Sequence, residues 1–567
     1  MAKTIWICSR KKLSNKVEQQ IYEICKNISP DNIVTAEPKV IISDNIAFGV
    51  MNPKNSLLYN GNSLLLGVIT TNIDNWHVPL RDFPDGSYAL FRDGEQYCEI
   101  VSDPAGSRTI WYYRNDEIFV ASTSQIALIK FIGGFEFDER VVPWILSSGS
   151  LGPTHSWDKR IKRIPPDSSV VLNKHDWSLN TKTNKIEFKE CKDSNKHHEQ
   201  KLRTVLNSSI ESMNLNYSDW VLPVSGGYDS RGILCLLKSN NNKKNLKTIT
   251  WGLKSSLNDF KNDAFVAQKL AKELNVPHKY YHTDLSKEPV EKIIDRFIRN
   301  GEGRVDHISG YLDGFKIWET LHNENIQGII RGDEGFGWSN VSSHLTTRLS
   351  VGLGLCSDYS NLKSLIKMGF IEQKVPKHLE QSPSESLEQW RDRLYHEYRL
   401  PTIMAALSDL KFSYVEQVNP LLFRKILELV REQPDRLRTE KSLFKKIVVS
   451  LSPKIPFATG GANGSIVDFL KQKQVVDLLK QEITNNLENE IIPKDFLIDV
   501  LANLKIVDSS LSKSKSFSLK PLIKLILPSY FKNLLKDNVS SLNIVDYNQL
   551  AFRIFIILRM INILKTK

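Results

Sequence analysis

The stretch VLPVSGGYDSRGILCLL, residues 221–237, decides how this chain is read. An apolar run leads into two glycines in a polar turn, and a second apolar run follows, which predicts a strand, a tight loop and a helix. Paired glycines let the backbone turn sharply, so that successive N–H groups converge on one place, and the following helix adds the positive end of its dipole. Such a cup suits phosphate. No lysine follows the glycines and the spacing is shorter than in GxxxxGK[ST], so transfer of a γ-phosphate is not the expected chemistry. A plain strand-to-helix turn is the alternative these residues leave open.

Working outward, LRTVLNSSIESMNL has helical periodicity, TITWGL reads as a strand, DAFVAQKLAKELN as a helix, HKYYHTD as a strand, VEKIIDRFIRN as a helix and IQGIIRGD as a strand. Alternation of this kind predicts a parallel sheet wrapped by helices, with ligands at the carboxyl ends of the strands, where the loop of residues 225–230 falls. Beyond residue 340 the pattern is mainly helical, without an internal repeat. Upstream, residues 1–173 hold short apolar segments parted by turn signals, among them TIWICS, SLLYNGNSLLLGVIT, GSYALFRDG and EIFVAST. The expected class is therefore α/β: a sheet-rich amino domain over 1–173, a polar linker or exposed excursion over 174–200, a parallel-sheet domain over 201–480 and a basic helical tail over 481–567.

Length and composition agree with a multidomain globular chain, since 567 residues at 41% hydrophobic content exceed one ordinary core. The amino terminus, MAKTIWICSRKK, has only a short apolar patch before its basic residues, so secretion is not expected. Six scattered cysteines, Cys8, Cys25, Cys98, Cys191, Cys235 and Cys356, form no CxxC pair and no zinc spacing. A reducing cytoplasm is the expected compartment. Much of the net charge of +12 lies in the tail, where residues 500–567 carry eleven Lys or Arg against three Asp. Its last helix candidate, YNQLAFRIFIILRMINILKTK, is interrupted by Arg553 and Arg559, short of the roughly 18 uninterrupted apolar residues of a membrane span. No transmembrane segment is expected. Core docking with a basic edge is the first expectation for this tail, and peripheral contact with an acidic membrane surface the second.

The motif SGGYDS resembles the SGG-x-DS pyrophosphate loop of the asparagine synthetase family of ATP pyrophosphatases. The resemblance runs from about residue 80 to 475. In the amino region it rests on Asp103, Pro104 and Gly106 of a D-P-x-G turn, on Tyr112, and on Phe119, Ala121 and Ser122 of a F-x-A-S segment. Ile164-Pro165-Pro166 stands in place of the family's L-P-P-G, NDAFVAQKLAKELNVPHKYYHTD resembles the segment reaching the adenine side, and YVEQVNPLLFRKILELV the helix entry containing P-F-L-D. The resemblance implies an Ntn-hydrolase-like, glutaminase-like amino domain followed by an adenine-nucleotide α-hydrolase-like (PP-loop) domain with a helical carboxyl-terminal part.

It also implies a mechanism. A carboxylate attacks the α-phosphorus of ATP, pyrophosphate leaves, and an amine attacks the acyl adenylate to give an amide. Ser225, Gly226, Gly227, Asp229 and Ser230 would hold the pyrophosphate, and Asp229 would carry a Mg2+ ion. In IIRGDEGFGW, Asp333 and Glu334 resemble the family's D-E pair, which usually stands in S-G-x-G-x-D-E; either Asp333-Glu334 aligns with that pair or Gly332-Asp333 aligns with the start of the motif. Asp333 is the expected second metal ligand and Glu334 the expected acceptor of the amine proton; an ordinary strand-end acid pair is the alternative. The family's late lysine, which stabilises developing charge, is placed first at Lys454, with Lys441 and Lys445 as rivals. The glycine-rich residues 460–464 fit equally a mobile cover or a flexible turn.

Glutamine-using members carry a cysteine directly after the initiator methionine, and here that residue is Ala2. Segments like R-G-P-D and N-G-E-I-Y-N, which bind glutamine, are also missing; Tyr59-Asn60-Gly61-Asn62 is a poor substitute. The amino domain is thus expected to be a degenerate glutaminase scaffold, as in the cysteine-less β-lactam synthetases and lasso-peptide cyclases. The partners expected are small-molecule or peptide carboxylates and amines, with free ammonia as another nitrogen source, and no nucleic acid. Two other classes remain: a catalytically degenerate nucleotide-binding protein, suggested by the altered D-E region, and a PP-loop nucleic-acid-modifying enzyme, suggested by the basic tail.

Overall fold

A computed structural model describes residues 3–53, 57–239, 245–507 and 543–566. Its first part contains two six-stranded antiparallel sheets. One has the strand order β10-β8-β9-β1-β3-β2, formed by β1 (Thr4–Ser9), β2 (Lys39–Ile42), β3 (Ile46–Val50), β8 (Trp111–Arg114), β9 (Ile118–Ser122) and β10 (Lys162–Arg163). The other has the order β12-β11-β7-β6-β5-β4, formed by β4 (Leu57–Asn60), β5 (Ser63–Ile69), β6 (Gly86–Asp93), β7 (Tyr97–Ser102), β11 (Ser168–Asn173) and β12 (Leu179–Thr183). Strand alternation explains their stacking. Trp6 and Cys8 of β1 join Phe48, Leu64, Phe91 and Val170 between the sheets. Ile5 and Ile7 point the other way, into a core shared with Ile21 of helix α1 (Asn15–Asn27) and Leu128 of α2 (Gln125–Ile132).

The second part holds the expected parallel sheet, in the order β15-β14-β13-β16-β17. Its strands are β13 (Trp220–Pro223), β14 (Lys247–Gly252), β15 (His278–His282), β16 (Gly328–Ile330) and β17 (Glu416–Val418). After α3 (Val141–Ser148) and α4 (Asn195–Glu211), the crossover helices are α5 (Tyr228–Ser239) after β13, α6 (Asp263–Glu273) after β14 and α7 (Val290–Gly301) after β15. After β15 the chain returns to the opposite flank of β13, so the strand order reverses between β13 and β16. That reversal opens a crevice at their carboxyl ends, the usual place for a ligand in an open α/β sheet.

Two segments differ in detail from the sequence expectation. In the polar window 174–200, Leu179–Thr183 completes the second sheet as β12, paired with β11, and a long helix, Asn195–Glu211, begins before the window ends. Between them, the amides of Lys189 and Cys191 donate to the carbonyls of Arg431 and Glu432. Cross-strand pairing and these backbone bonds anchor a window whose polarity suggested a linker or exposed excursion, and Leu179–Thr183 remains largely exposed. Much of the tail, residues 508–542 and 567, lies outside the described residues. Helix Tyr547–Lys565 is 19 residues long and, by length and composition, apolar enough to cross a bilayer, yet 72% of its most apolar window is buried inside the protein. The two arginines read as interruptions are paired: Arg553 with Asp306 at 2.7 Å, and Arg559 with Glu482 at 3.1 Å. All six cysteines are free thiols.

Candidate active site

The loop after β13 folds as a compact knot of side chain on backbone. Ser225 N donates to Ser230 Oγ at 2.9 Å, the two hydroxyls lie 3.1 Å apart, and Gly227 N donates to Ser225 Oγ at 3.2 Å. Gly226 N donates to Asp263 Oδ1 at 2.9 Å, from the first residue of α6. Neither glycine has a left-handed backbone. The need at Gly226 is space: a Cβ there would stand 2.3 Å from Ala458 Cβ and 2.9 Å from Val266 Cβ. The sharp turn expected of the glycines is in fact a close approach of two chain segments.

Arg231 holds that approach in place. Its buried guanidinium donates to the carbonyls of Ile455 at 2.8 Å and Pro456 at 3.0 Å, and lies 3.8 Å from the centre of the Phe457 ring. The other face of Phe457 stacks on Tyr228 at 3.9 Å. The chain then runs into the glycine-rich residues 460–464, which are tied down. Asp263 N donates to Gly460 O, Asn262 Nδ2 to Gly461 O, and both Leu253 N and Ser256 Oγ to Ala462 O. Ala462 and Asn463 become a wall of a cavity of about 260 Å³, whose floor includes Ser225, Asp229, Ser230 and Asp263.

The chain after β16 supplies the opposite wall. Gly332 lies so near the loop that a Cβ would stand 3.1 Å from Ser230 N. Asp333 faces the cavity with Oδ1 held by Arg331 at 3.0 Å. Glu334 turns inward, accepting from Phe336 N at 2.6 Å. Burial pushes the Glu334 carboxyl above its ordinary range, while the Lys441 ammonium pulls it down. Burial alone dominates at Asp263, whose carboxyl is also raised despite the bond from Gly226.

Of the three lysines weighed from sequence, the structure brings Lys441 to this cluster. Its Nζ lies 2.9 Å from Asp229 Oδ2 and 2.8 Å from Glu334 Oε1. Burial opposes the charge, but Glu334 and Asp229 overcome it and raise the lysine's pKa. Lys454, the first choice, is exposed. Lys445 pairs with Glu440 at 3.7 Å. Lys441 reaches inward because Glu440 and Lys441 are consecutive left-handed residues, both at φ 57°, just before helix Ser442–Leu451. Such a conformation costs on the order of 1–3 kcal/mol per residue and is found where the surroundings enforce it.

The expected Mg2+ site meets a poor fit in these side chains. Both Asp229 oxygens accept from Lys441 and Asp333 is engaged by Arg331, so each expected ligand already faces a protein cation. Among the described residues, no group of three or more His, Cys, Asp or Glu is arranged to hold a metal.

No family model matches the chain, and no curated protein does. Among solved structures, the chain is similar to glutamine phosphoribosylpyrophosphate amidotransferase from B. subtilis complexed with ADP and GMP, at 8% identity and a TM-score of 0.21, over 50% of this chain and 66% of that one. Another, described as the allosteric regulatory enzyme of purine biosynthesis, is similar at 9% identity and a TM-score of 0.21, over 50% of this chain and 81% of that one. The match spans just under two thirds of the first protein's length. Likeness this distant says nothing about the chemistry of the crevice.

Asp263, Arg231, Arg331 and His396 belong to the site or its support and were not singled out in the sequence. His396, in the π-helical stretch Tyr395–Met404, pairs through Nε2 with Gly335 O at 2.9 Å, one residue from Glu334. Arg231 carried a visible signal, an arginine directly after the loop in an otherwise apolar helix turn. In the amino part, Ala2 lies outside the described residues, and Cys8, the nearest cysteine in sequence, is buried between the two sheets.

Proposed function

We propose that this chain is an AMP-forming carbon–nitrogen ligase of the asparagine synthetase type, which cleaves ATP, adenylates a carboxylate and passes the acyl group to an amine or ammonia. The observation that carries the reading is the placement of the loop of residues 225–230 at the strand reversal between β13 and β16, opening onto a cavity lined by Asp229 and Asp333. In the reaction, a carboxylate oxygen bonds to the α-phosphorus and the bond to the bridging oxygen breaks, releasing pyrophosphate. The amine then displaces AMP from the acyl carbon and gives up a proton.

The chain's own groups would serve the leaving group first. The amides of Ser225, Gly226 and Gly227 and the two serine hydroxyls would exchange their internal partners for phosphate oxygens, a fixed set of dipoles where negative charge gathers. Glu334, shielded from solvent, is the candidate to take the amine proton. Because Asp229 and Asp333 are already paired with cations, no step is assigned to Mg2+. Ala2 supports a reaction without glutamine hydrolysis, since alanine offers no nucleophile.

A second reading, a nucleotide-binding protein without chemistry, is favoured by one observation: the Asp263 carboxylate holds an amide of the phosphate cup. Incubating the protein with ATP and a panel of amino acids, peptides and uronic acids separates the two. AMP and pyrophosphate, dependent on the acid, support the ligase; ADP and phosphate, or ATP bound and returned intact, sink it. Glutamate released from glutamine would overturn the nitrogen assignment.

A further inference from the structure

We propose that Lys441 is the resident cation of this crevice: its ammonium occupies the place between Asp229 and Glu334, so that in the nucleotide-free protein these carboxylates form an internal ion pair rather than a divalent-metal site. The inference rests on the pyrophosphate-releasing reading above and adds how the loop tolerates its own acid.

Charge sets the first requirement. A carboxylate on the first turn of α5 faces the space where a polyphosphate would lie, and uncompensated it would repel that ligand. Some cation must sit beside Asp229. The lysine meets both Asp229 oxygens, at 3.1 and 2.9 Å, and Glu334 Oε1 at 2.8 Å, which uses all three donors of an ammonium group.

The surroundings hold the amine there. The Trp338 ring lies 5.7 Å from Nζ, within range of a cation–π contact. The left-handed pair Glu440–Lys441 directs the side chain toward the loop. A magnesium ion requires near-octahedral oxygens at about 2.0–2.1 Å, so it could use these carboxylates only after displacing the lysine and drawing them together. The neighbouring acid offers no easier route, because Arg331 claims Asp333 at 3.0 Å. Lys441 is thus a positioning residue, acting on the ligand by neutralising Asp229.

The test uses the full chain, with Mn2+ followed by electron paramagnetic resonance and pyrophosphate binding followed by calorimetry. The wild type is expected to bind no Mn2+ tighter than millimolar without nucleotide. Lys441→Met is expected to gain a Mn2+ site that a further Asp229→Asn substitution removes. In excess EDTA the wild type should still bind pyrophosphate, Lys441→Met should bind it at least tenfold more weakly, and Lys441→Arg should recover most of the loss. Melting curves identify any variant that fails to fold; the wild-type Mn2+ and EDTA measurements need no variant. Micromolar Mn2+ binding by the wild type that Asp229→Asn abolishes overturns the proposal, as does pyrophosphate binding that requires Mg2+; in either case the ligase reading stands. Failure to bind pyrophosphate under any condition overturns both.

Discussion

Lys3 Nζ lies 3.0 Å from Glu302 Oε1, and both side chains are almost wholly withdrawn from solvent. The first residue of the described chain is thereby joined to the end of α7, where Lys3 also donates to Asn300 O at 3.0 Å. Glu302 in turn accepts from Gln125 N at 2.7 Å. Lys3→Met would leave a buried anion without its cation and is expected to cost about 3 kcal/mol in urea unfolding. Adding Glu302→Gln should recover more than half of that. A single variant as stable as the wild type would show that the pair does not bind the two parts together.

Gly226 and Gly227 stand side by side but should respond differently to alanine. At Gly226 the new methyl group meets Ala458 and Val266, so overpacking of roughly 1–3 kcal/mol is expected, together with loss of nucleotide binding. At Gly227 it meets only Ser225 Oγ at 3.3 Å, and thermal stability should stay within about 0.5 kcal/mol. Equal effects at both positions would contradict the close approach seen at Gly226.

Asp263→Asn should strengthen pyrophosphate binding. The carboxylate now holds the amide of Gly226 and would repel an incoming anion at short range. Removing that charge while keeping an acceptor for the amide should tighten binding about tenfold, or about 1.4 kcal/mol, by calorimetry. Weaker binding would mean that Asp263 shapes the cup rather than guarding it.

His396 sets an acid limit on stability. Burial first, then the Arg431 guanidinium, push its pKa down to about 3, and Arg431 Nε donates to its Nδ1 at 3.4 Å, so the neutral ring is the fitting form. The unfolded chain takes up this proton near pH 6.5 and the folded chain only near pH 3. Stability is therefore whole above pH 6.5 and falls as the pH drops between these values, by on the order of 1 kcal/mol per unit. His396→Gln should flatten that slope in urea titrations from pH 7 to 4. An unchanged slope would place the acid sensitivity elsewhere.

How much of this was legible in the sequence differs by residue. The strand, loop and helix of residues 221–237 were, because local apolar periodicity and the glycine pair specify them with little help from the rest of the chain. The alternation through β14, α6, β15, α7 and β16 was legible for the same reason. The partner of Asp229 was not: the sequence favours Lys454 over its rivals Lys441 and Lys445, whereas the left-handed pair at Glu440 and Lys441 turns Lys441 inward. Asp263 escaped notice because it reads as the opening of a capped helix, which it is, with Asn262 as the cap. Its second role depends on how α6 packs beside β14 and β15, which brings its first residue to the loop after β13. Residues 179–183 looked like linker because an edge strand needs no apolar alternation when its outer face meets water.

The helix Tyr547–Lys565 packs against Val141–Ser148, Val290–Gly301 and Lys473–Asn485, and Arg553 reaches back to the carbonyl of Leu146. A ribosome makes that helix long after Val141–Ser148, the two being joined through Arg553 and Leu146 across 407 residues of chain. While the chain is being made, the apolar faces that will receive it stay open to water or to a chaperone, and this part of the core closes only when that helix arrives.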